Sequence, residues 1–562
     1  MAGGIMPRHC NKIGSLKAVS AVSLVLSAVL AGPALAAPIE TGNPDIAIYF
    51  DNTFKYSLGW RVEGQSVRVA NDSIGVQANT NDGDLNFEKG GLISNRVDLL
   101  SEFGLTYKRD FGFRVSAAGW YDDVYMHKND NPGALGGALV NSRSTTYDRF
   151  TDETKDLHGM NAELLDAFVF GKVNIGDSGL NLRAGRFTQL YGESLFFGSN
   201  GIAAAQTSLD LIKALSVPNS RFQEILRPVG QISGQLQLSP ELSLGAYYQV
   251  EWRKTRLPGA GSYFSFADFV DGGGESLILG PGLVAFRGDD IDARDQGQGG
   301  AQIRWTPGDV EYGFYIANFH DKIPQFYVRP GVNAQPGSIG DYVQVFGEDI
   351  FTVGVSASTL IGDTNVAGEV SFRDNMPLVA SGNAVIIPGN STADGGDNAA
   401  FPVGQTLHAN LSMIEVFNET PLWHGASVIA EIAYNNRLNI DKNADQLDPR
   451  ATRDAAALQF IFTPEYFQVL PGVDLQVPIG ASLGLFGRSS VNGVLFPAEN
   501  GGVLSIGVKA DYQKTWQASL SFAHYYGSEG SIVRYDTAAP ELSYKNFHGD
   551  RDFIALSIQR TF

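Results

Sequence analysis

The segment DIAIYFDNTFKYSLGWRV, residues 45–62, constrains the fold more than any other part of the sequence. At even positions from 46 to 62 stand Ile46, Ile48, Phe50, Asn52, Phe54, Tyr56, Leu58, Trp60 and Val62, so eight of nine are apolar. The odd positions carry Asp45, Asp51, Thr53, Lys55, Ser57 and Arg61. Successive side chains of a strand point to opposite faces, so a period of two describes a ribbon with one oily and one wet surface and excludes an amphipathic helix. Strands of globular proteins usually stop at about 5–6 residues. This one is far longer.

The pattern recurs. Val97, Leu99, Phe103, Leu105 and Tyr107 alternate with Arg96, Asp98, Glu102 and Thr106. Phe111, Phe113, Val115 and Ala117 alternate with Gly112, Arg114 and Ser116, and Val366, Gly368, Val370 and Phe372 with Ala367, Glu369, Ser371 and Arg373. Trp516, Ala518, Leu520 and Phe522 alternate with Gln517, Ser519 and Ser521. The connections are more telling still. Short ones at 108–110, 176–179, 239–241, 306–309, 361–365, 418–424 and 513–514, with a longer one near 463–474, alternate with long segments. The long segments fall near 63–94, 122–162, 189–228, 253–297, 320–349, 374–405, 436–454, 486–502 and 526–550. A sandwich has no reason to alternate its connections this way, whereas an up-and-down barrel with two unlike rims does. The expectation is an all-β, antiparallel transmembrane barrel of about 18 strands, with 16 as the fallback, long outer loops and a short helical insertion.

Closure has a physical cause. Hydrocarbon offers no partner to a backbone amide, so a sheet in lipid must bond to itself all the way round. Only half of each strand then meets lipid, which agrees with a mean hydropathy of -0.07. Beyond the N-terminal region there is no apolar run long enough for a membrane helix. A net charge of -19 without a basic cluster argues against nucleic-acid binding. At the N-terminus Arg8, Lys12 and Lys17 precede an apolar run from Ala18 to Ala31 and then PALAAP. That order predicts a secretory signal, residues 1–36, cleaved after Ala36, and a single barrel domain over 37–562. The only cysteine, Cys10, falls within the signal.

The chain ends RDFIALSIQRTF, with Ile554, Leu556, Ile558 and Phe562 in one register. This end resembles the C-terminal assembly signal of bacterial outer-membrane proteins, with Phe562 as its last residue. The segments LGWRVEG, NDGDLNFEKGGLISNRVDLLSEF, LRAGRFTQLYGESLFF, YYQVEWRKTRLPGAGSYFSFADFV and LPGVDLQVPIGASLGLFGRSSV carry a wider likeness. Together they resemble the proteobacterial family catalogued as domain of unknown function 1302, from about Asp45 to Phe562. The resemblance implies an outer-membrane barrel linked to traffic in hydrophobic compounds or lipids, and it brings no catalytic residues. The partners it leads us to expect are outer-membrane lipids and lipopolysaccharide, the outer-membrane assembly machinery, and periplasmic or inner-membrane transport components.

Inward positions of the expected strands carry both signs of charge: Arg96, Asp98, Glu102, Arg114, Asp166, Lys172, Arg183, Glu369, Arg373 and Glu431. Opposed charges across a constriction order polar solutes, while the plainer reading is that they pair with one another and hydrate the wall. In 207–228 the strand pattern breaks. There Leu209, Ile212 and Leu215 share a helical face with Thr207 as cap, and Phe222, Ile225 and Leu226 suggest a second short face; such a segment either folds into the lumen or sits on the rim. The aromatic SYFSFADFV suggests a greasy ligand mouth or a loop packed on itself. NTNDGDLNFE and TADGGDN are oxygen-rich but lack the spacing of an EF-hand loop. No cofactor or metal motif is legible, and GESLF lacks the second glycine of a nucleophile elbow. The leading expectation is a passive channel or transporter for small hydrophobic or amphipathic compounds. The alternatives are a plugged barrel that binds or organises envelope lipid, and an outer-membrane hydrolase.

Overall fold

The long alternating segment forms a single strand, β1 (Ile46–Arg61), and both of its edges are bonded. The computed structural model describes residues 39–562 apart from 73–74, 77, 134–140, 177, 219–221, 281, 498 and 535–538. The proposed signal segment lies outside them. The wall continues with β2 (Leu92–Tyr107), β3 (Phe111–Asp122), β4 (Met160–Ile175), β5 (Ser178–Phe187) and β6 (Val229–Ser239). Next come β7 (Leu242–Gln249), β8 (Gln298–Trp305), β9 (Val310–Phe319), β10 (Ile350–Ile361), β11 (Thr364–Pro377) and β12 (Val403–Phe417). The last third is β13 (Gly425–Lys442), β14 (Asp454–Leu470), β15, β16 (Gly502–Tyr512), β17 (Trp516–Tyr526) and β18 (Phe553–Thr561). Val473–Gln476 and Ile479–Gly487 are the two halves of β15, separated by Val477 and Pro478, and each half bonds to both β14 and β16.

Each strand pairs antiparallel with the next, and β18 pairs back onto β1 from Thr53↔Thr561 to Arg61↔Phe553. Asn52 and Phe562 then exchange two backbone hydrogen bonds, at 2.8 and 2.9 Å. The result is a closed ring of 18 strands among the described residues, with no free edge.

The outside of the ring is oily. Val169, Ile232, Leu411 and Leu520 are 58%, 57%, 55% and 52% exposed, while wall side chains of opposite parity such as Ser57, Glu369 and Glu431 are buried. Aromatics flank the short turns on the outer face: Tyr107 and Phe111, Trp305 and Tyr312, Tyr512 and Trp516. Such a girdle suits the boundary between hydrocarbon and water. The turns themselves are tight, with Lys108 and Arg109, and Gln513 and Lys514, in the left-handed region that fits a two-residue hairpin. One expected connection was misplaced. No break occurs at 463; β14 runs to Leu470 and the turn is Pro471–Gly472.

The long connections leave the opposite end of the ring, and several of them build a dome. Its frame is a five-stranded sheet of Ser276–Gly280, Leu283–Arg287, Gly340–Val345, Gln325–Pro330 and Val385–Ile386. Tyr327, Val343 and Val345 are wholly buried in one of its cores. SYFSFADFV packs in the same way: Tyr263 and Phe264 are 1% exposed, and Phe87, Tyr125 and Phe553 close around them. The loop packs against two other loops and the wall.

Candidate functional site

Between β5 and β6 the chain spends residues 188–228 inside the ring. The contacts place it there, because one segment reaches wall strands on several sides. The Gln249 amide of β7 donates to the Gln206 carbonyl at 2.5 Å, Arg304 of β8 pairs with Glu193 at 3.1 Å, and Lys213 pairs with Glu163 of β4 at 3.4 Å. Lys55 of β1 reaches Glu224 at 3.9 Å. No rim position satisfies all of these at once.

Two carboxylates of the wall hold the first half of the segment. Glu369 accepts from the backbone N–H groups of Glu193 at 2.6 Å and Ile202 at 3.0 Å. Gly192, at φ 92°, and Gly201 lie against it, and a Cβ at either would collide with the carboxylate. Glu431 accepts from the Ser194 hydroxyl at 2.9 Å and from the N–H groups of Leu195, Phe196 and Phe197. Arg373 donates to the carbonyls of Ser199 at 3.1 Å and Gly201 at 2.8 Å. Asn200, wholly buried, donates to Asn410 at 2.8 Å and accepts from Asn435 at 3.2 Å. These buried charged groups therefore act mainly as hydrogen-bonded anchors of the segment. Charge-assisted bonds of this kind are the stronger ones.

The second half differs from its sequence reading in one detail. The helix is Leu211–Ser216, capped by Asp210, whose carboxylate accepts from Lys213 N–H at 3.0 Å; Thr207 is not the cap. Leu209 belongs instead to a two-residue strand pair, Ser208–Leu209 with Leu226–Arg227. Asp is the better cap here because its oxygen reaches the N3 position from the residue next to the helix.

Around this half lies a partition of charge. Arg256 pairs with both Asp210 and Glu163 at 2.6 Å. Burial alone would pull its guanidinium down, but the two carboxylates hold it above its ordinary value. Arg227 donates to the Lys254 carbonyl, and Arg253 donates to the Pro228 carbonyl at 2.9 Å. Burial, then Arg256 and Arg253, push Arg227 down to about 9. One cavity, of about 710 Å³, is lined by Lys254, Asp271, Arg287 and Asp290 among others. A smaller one, of about 200 Å³, is lined by Glu102, Arg114, Asp166, Phe168, Arg183 and Pro228 among others.

Of the remaining inward candidates, Glu102, Arg114, Asp166 and Arg183 line this smaller cavity. Arg114 pairs with Glu102 and, at 3.5 Å, with Asp166. Arg96 forks onto Asp98 at 2.7 Å and lies over the Trp120 ring. Arg183 is exposed into the space, stacked over Phe168 at 4.9 Å and Phe187 at 5.0 Å, and meets no carboxylate at ion-pair distance among the described residues. Lys172 is exposed near the turn end of β4 and is not brought to the cavity. Sequence reasoning missed Glu163, Arg227, Arg253 and Arg256 as one constellation. The spacing of Glu163 from the loop arginines gives no hint that they meet.

The oxygen-rich NTNDGDLNFE is built into the dome. Asp84 pairs with the buried Arg61 at 2.6 Å, and Asp268 accepts from the N–H groups of Asn81 and Asp82. Among the described residues, no three His, Cys, Asp or Glu side chains are grouped to hold a metal.

A family model described as Protein of unknown function (DUF1302) matches residues 17–562. No curated protein matches the sequence. Among solved structures, Acinetobacter baumannii OccAB3 is similar at a TM-score of 0.41 and 11% identity, over 92% of this chain and 99% of that one. The outer membrane channel DcaP of Acinetobacter baumannii gives 0.38 and 10%, over 94% and 100%. Pseudomonas aeruginosa OpdK with vanillate gives 0.38 and 9%, over 92% and 98%.

Proposed function

The chain belongs to the DUF1302 family, and with that membership as premise we propose that it is an outer-membrane barrel working as a passive conduit for small amphipathic compounds. The observation that carries this reading is a closed ring whose inside holds an anchored segment and charge-lined cavities. A closed ring with an oily outside suits a bilayer because its apolar face avoids water and its backbone needs no partner from hydrocarbon. Inside, a segment anchored to the wall narrows the lumen, and charged space remains beside wall and loops. A solute crossing such a constriction must shed part of its water, and fixed charges there select it by sign and shape. Around the barrel this reading places outer-membrane lipid and lipopolysaccharide, with the assembly machinery engaging the β18 end during insertion and envelope transport components acting on the inner side.

A second reading is a plugged barrel that binds rather than conducts. The number of wall anchors on 188–228 favours it, since Glu369, Arg373 and Glu431 all hold one stretch. A hydrolase draws no support from GESLF: the Ser194 hydroxyl is given to Glu431.

Solute release from proteoliposomes separates the first two. The conduit reading expects benzoate to leave faster than glucose and far faster than from empty liposomes. Retention of both solutes would leave the plugged barrel as the better account.

A further inference from the structure

The dome holds a cavity that the conduit does not use. It has a volume of about 260 Å³ and is walled by Leu211, Leu215, Phe266, Val494, Leu495 and Phe547. A narrower space of about 50 Å³ adjoins it, sharing Phe266, Val494, Leu495 and Ile532 and reaching Phe269 and Phe326. An apolar cavity of ~150 Å³ already holds benzene, so the larger of these has room for an alkyl chain. Leu211 and Leu215 belong to the capped helix inside the ring, so the cavity joins the lumen segment to the dome.

Its polar side is not neutral. Lys545 lines it, is exposed, and meets no carboxylate among the described residues. Oily walls with a cationic side chain at the rim describe one chemistry: a chain with an anionic end.

We propose that this cavity binds a single-chain amphipath with one anionic head, the head at Lys545 and the chain running past Phe266 toward Phe326. The proposal rests on the amphipathic-compound reading above and names the class of molecule that reading would carry.

The test uses the full chain in detergent-free lipid nanodiscs, with decanoate titrated by calorimetry and the heat of empty discs subtracted. Saturable binding is expected, weakened about tenfold by Lys545→Glu, in keeping with the loss of one charge-assisted bond. Leu495→Trp or Leu215→Trp, which fill the cavity away from the head, should also weaken it. Decyltrimethylammonium, with the same chain and a cationic head, should bind less well than decanoate. Decanoate that only partitions into lipid, binding indifferent to all three substitutions, or equal binding of the cation would overturn the proposal. Ion current through the same protein is read separately, so a barrel that binds decanoate yet passes no current sinks the conduit and leaves this site standing.

Discussion

Glu369 and Arg373 stand four residues apart on β11 and grip opposite polarities of one peptide run. Glu369 accepts from the Ile202 N–H at 3.0 Å, and Arg373 donates to the Gly201 carbonyl at 2.8 Å, so the two ends of a single peptide group are held by two side chains on the same strand face. The wall dictates the path of the lumen segment through these contacts. Replacing Glu369 by Ala removes two charge-assisted bonds worth about 1.5–3 kcal/mol each and leaves two buried N–H groups unmet. The expected outcome is faster tryptic cleavage at Lys213 in a barrel that still inserts, read by mass spectrometry and by heat-modifiable gel mobility. Unchanged cleavage would show that other anchors suffice.

Arg183 offers a charge without a carboxylate partner in the smaller cavity. A unit charge ~8 Å from a passing ion in water is worth about 0.5 kcal/mol, in favour of an anion and against a cation, so Arg183→Gln should lower the anion-to-cation permeability ratio about sixfold at low salt. Reversal potentials in a salt gradient measure it. No change would mean that ions do not pass this face of the lumen.

The exterior can be checked against the interior at neighbouring positions of β17. Leu520 is 52% exposed on the oily face, and Ser521 lies on the other. Leu520→Arg should destabilise folding into lipid by about 2–4 kcal/mol if the residue lies near the bilayer midplane. Ser521→Arg should cost much less. Urea-dependent folding into liposomes reads both, and equal costs would contradict a membrane-facing outer surface.

The dome should respond to pH through Asp82 and Asp268. Burial holds Asp268 up at about 6, and burial with the Asp268 charge raises Asp82 well above the carboxylate range. A carboxyl that keeps its proton longer when folded makes the folded state the better proton binder between its ordinary value and the raised one. Stability is therefore greater at low pH and is lost as pH rises through about 6. Amide exchange in Asn79–Phe87, corrected for intrinsic rates, should be slower at pH 5 than at pH 8. Asp268→Asn should flatten the difference, and a wild-type profile with the opposite slope would refute the argument.

What was legible in the sequence follows the solvent. Leu520 and Ser521 could be assigned faces because a wall strand meets lipid on one side only, and seven of the eight turns could be placed because they are short while the loops are long. The turn after β14 was misread for a local reason. Pro464 lies within the strand, and a residue without an N–H reads as a break. Its carbonyl nonetheless accepts from Val477, and the strand continues to Leu470. The anchors of the lumen segment were not legible as anchors. Glu431 could be read as a charge on an inward face, but that its carboxylate would meet the Phe197 N–H, 234 residues away, is fixed by closure of the ring and by no local pattern.

The most direct measurement of the central claim is single-channel current across a planar bilayer, comparing the wild type with Glu369→Ala/Glu431→Ala. A ring narrowed by an anchored segment predicts small, steady openings in the wild type and larger, noisier ones once both carboxylates are gone. Silence from both proteins, each shown to be folded and inserted, would contradict it.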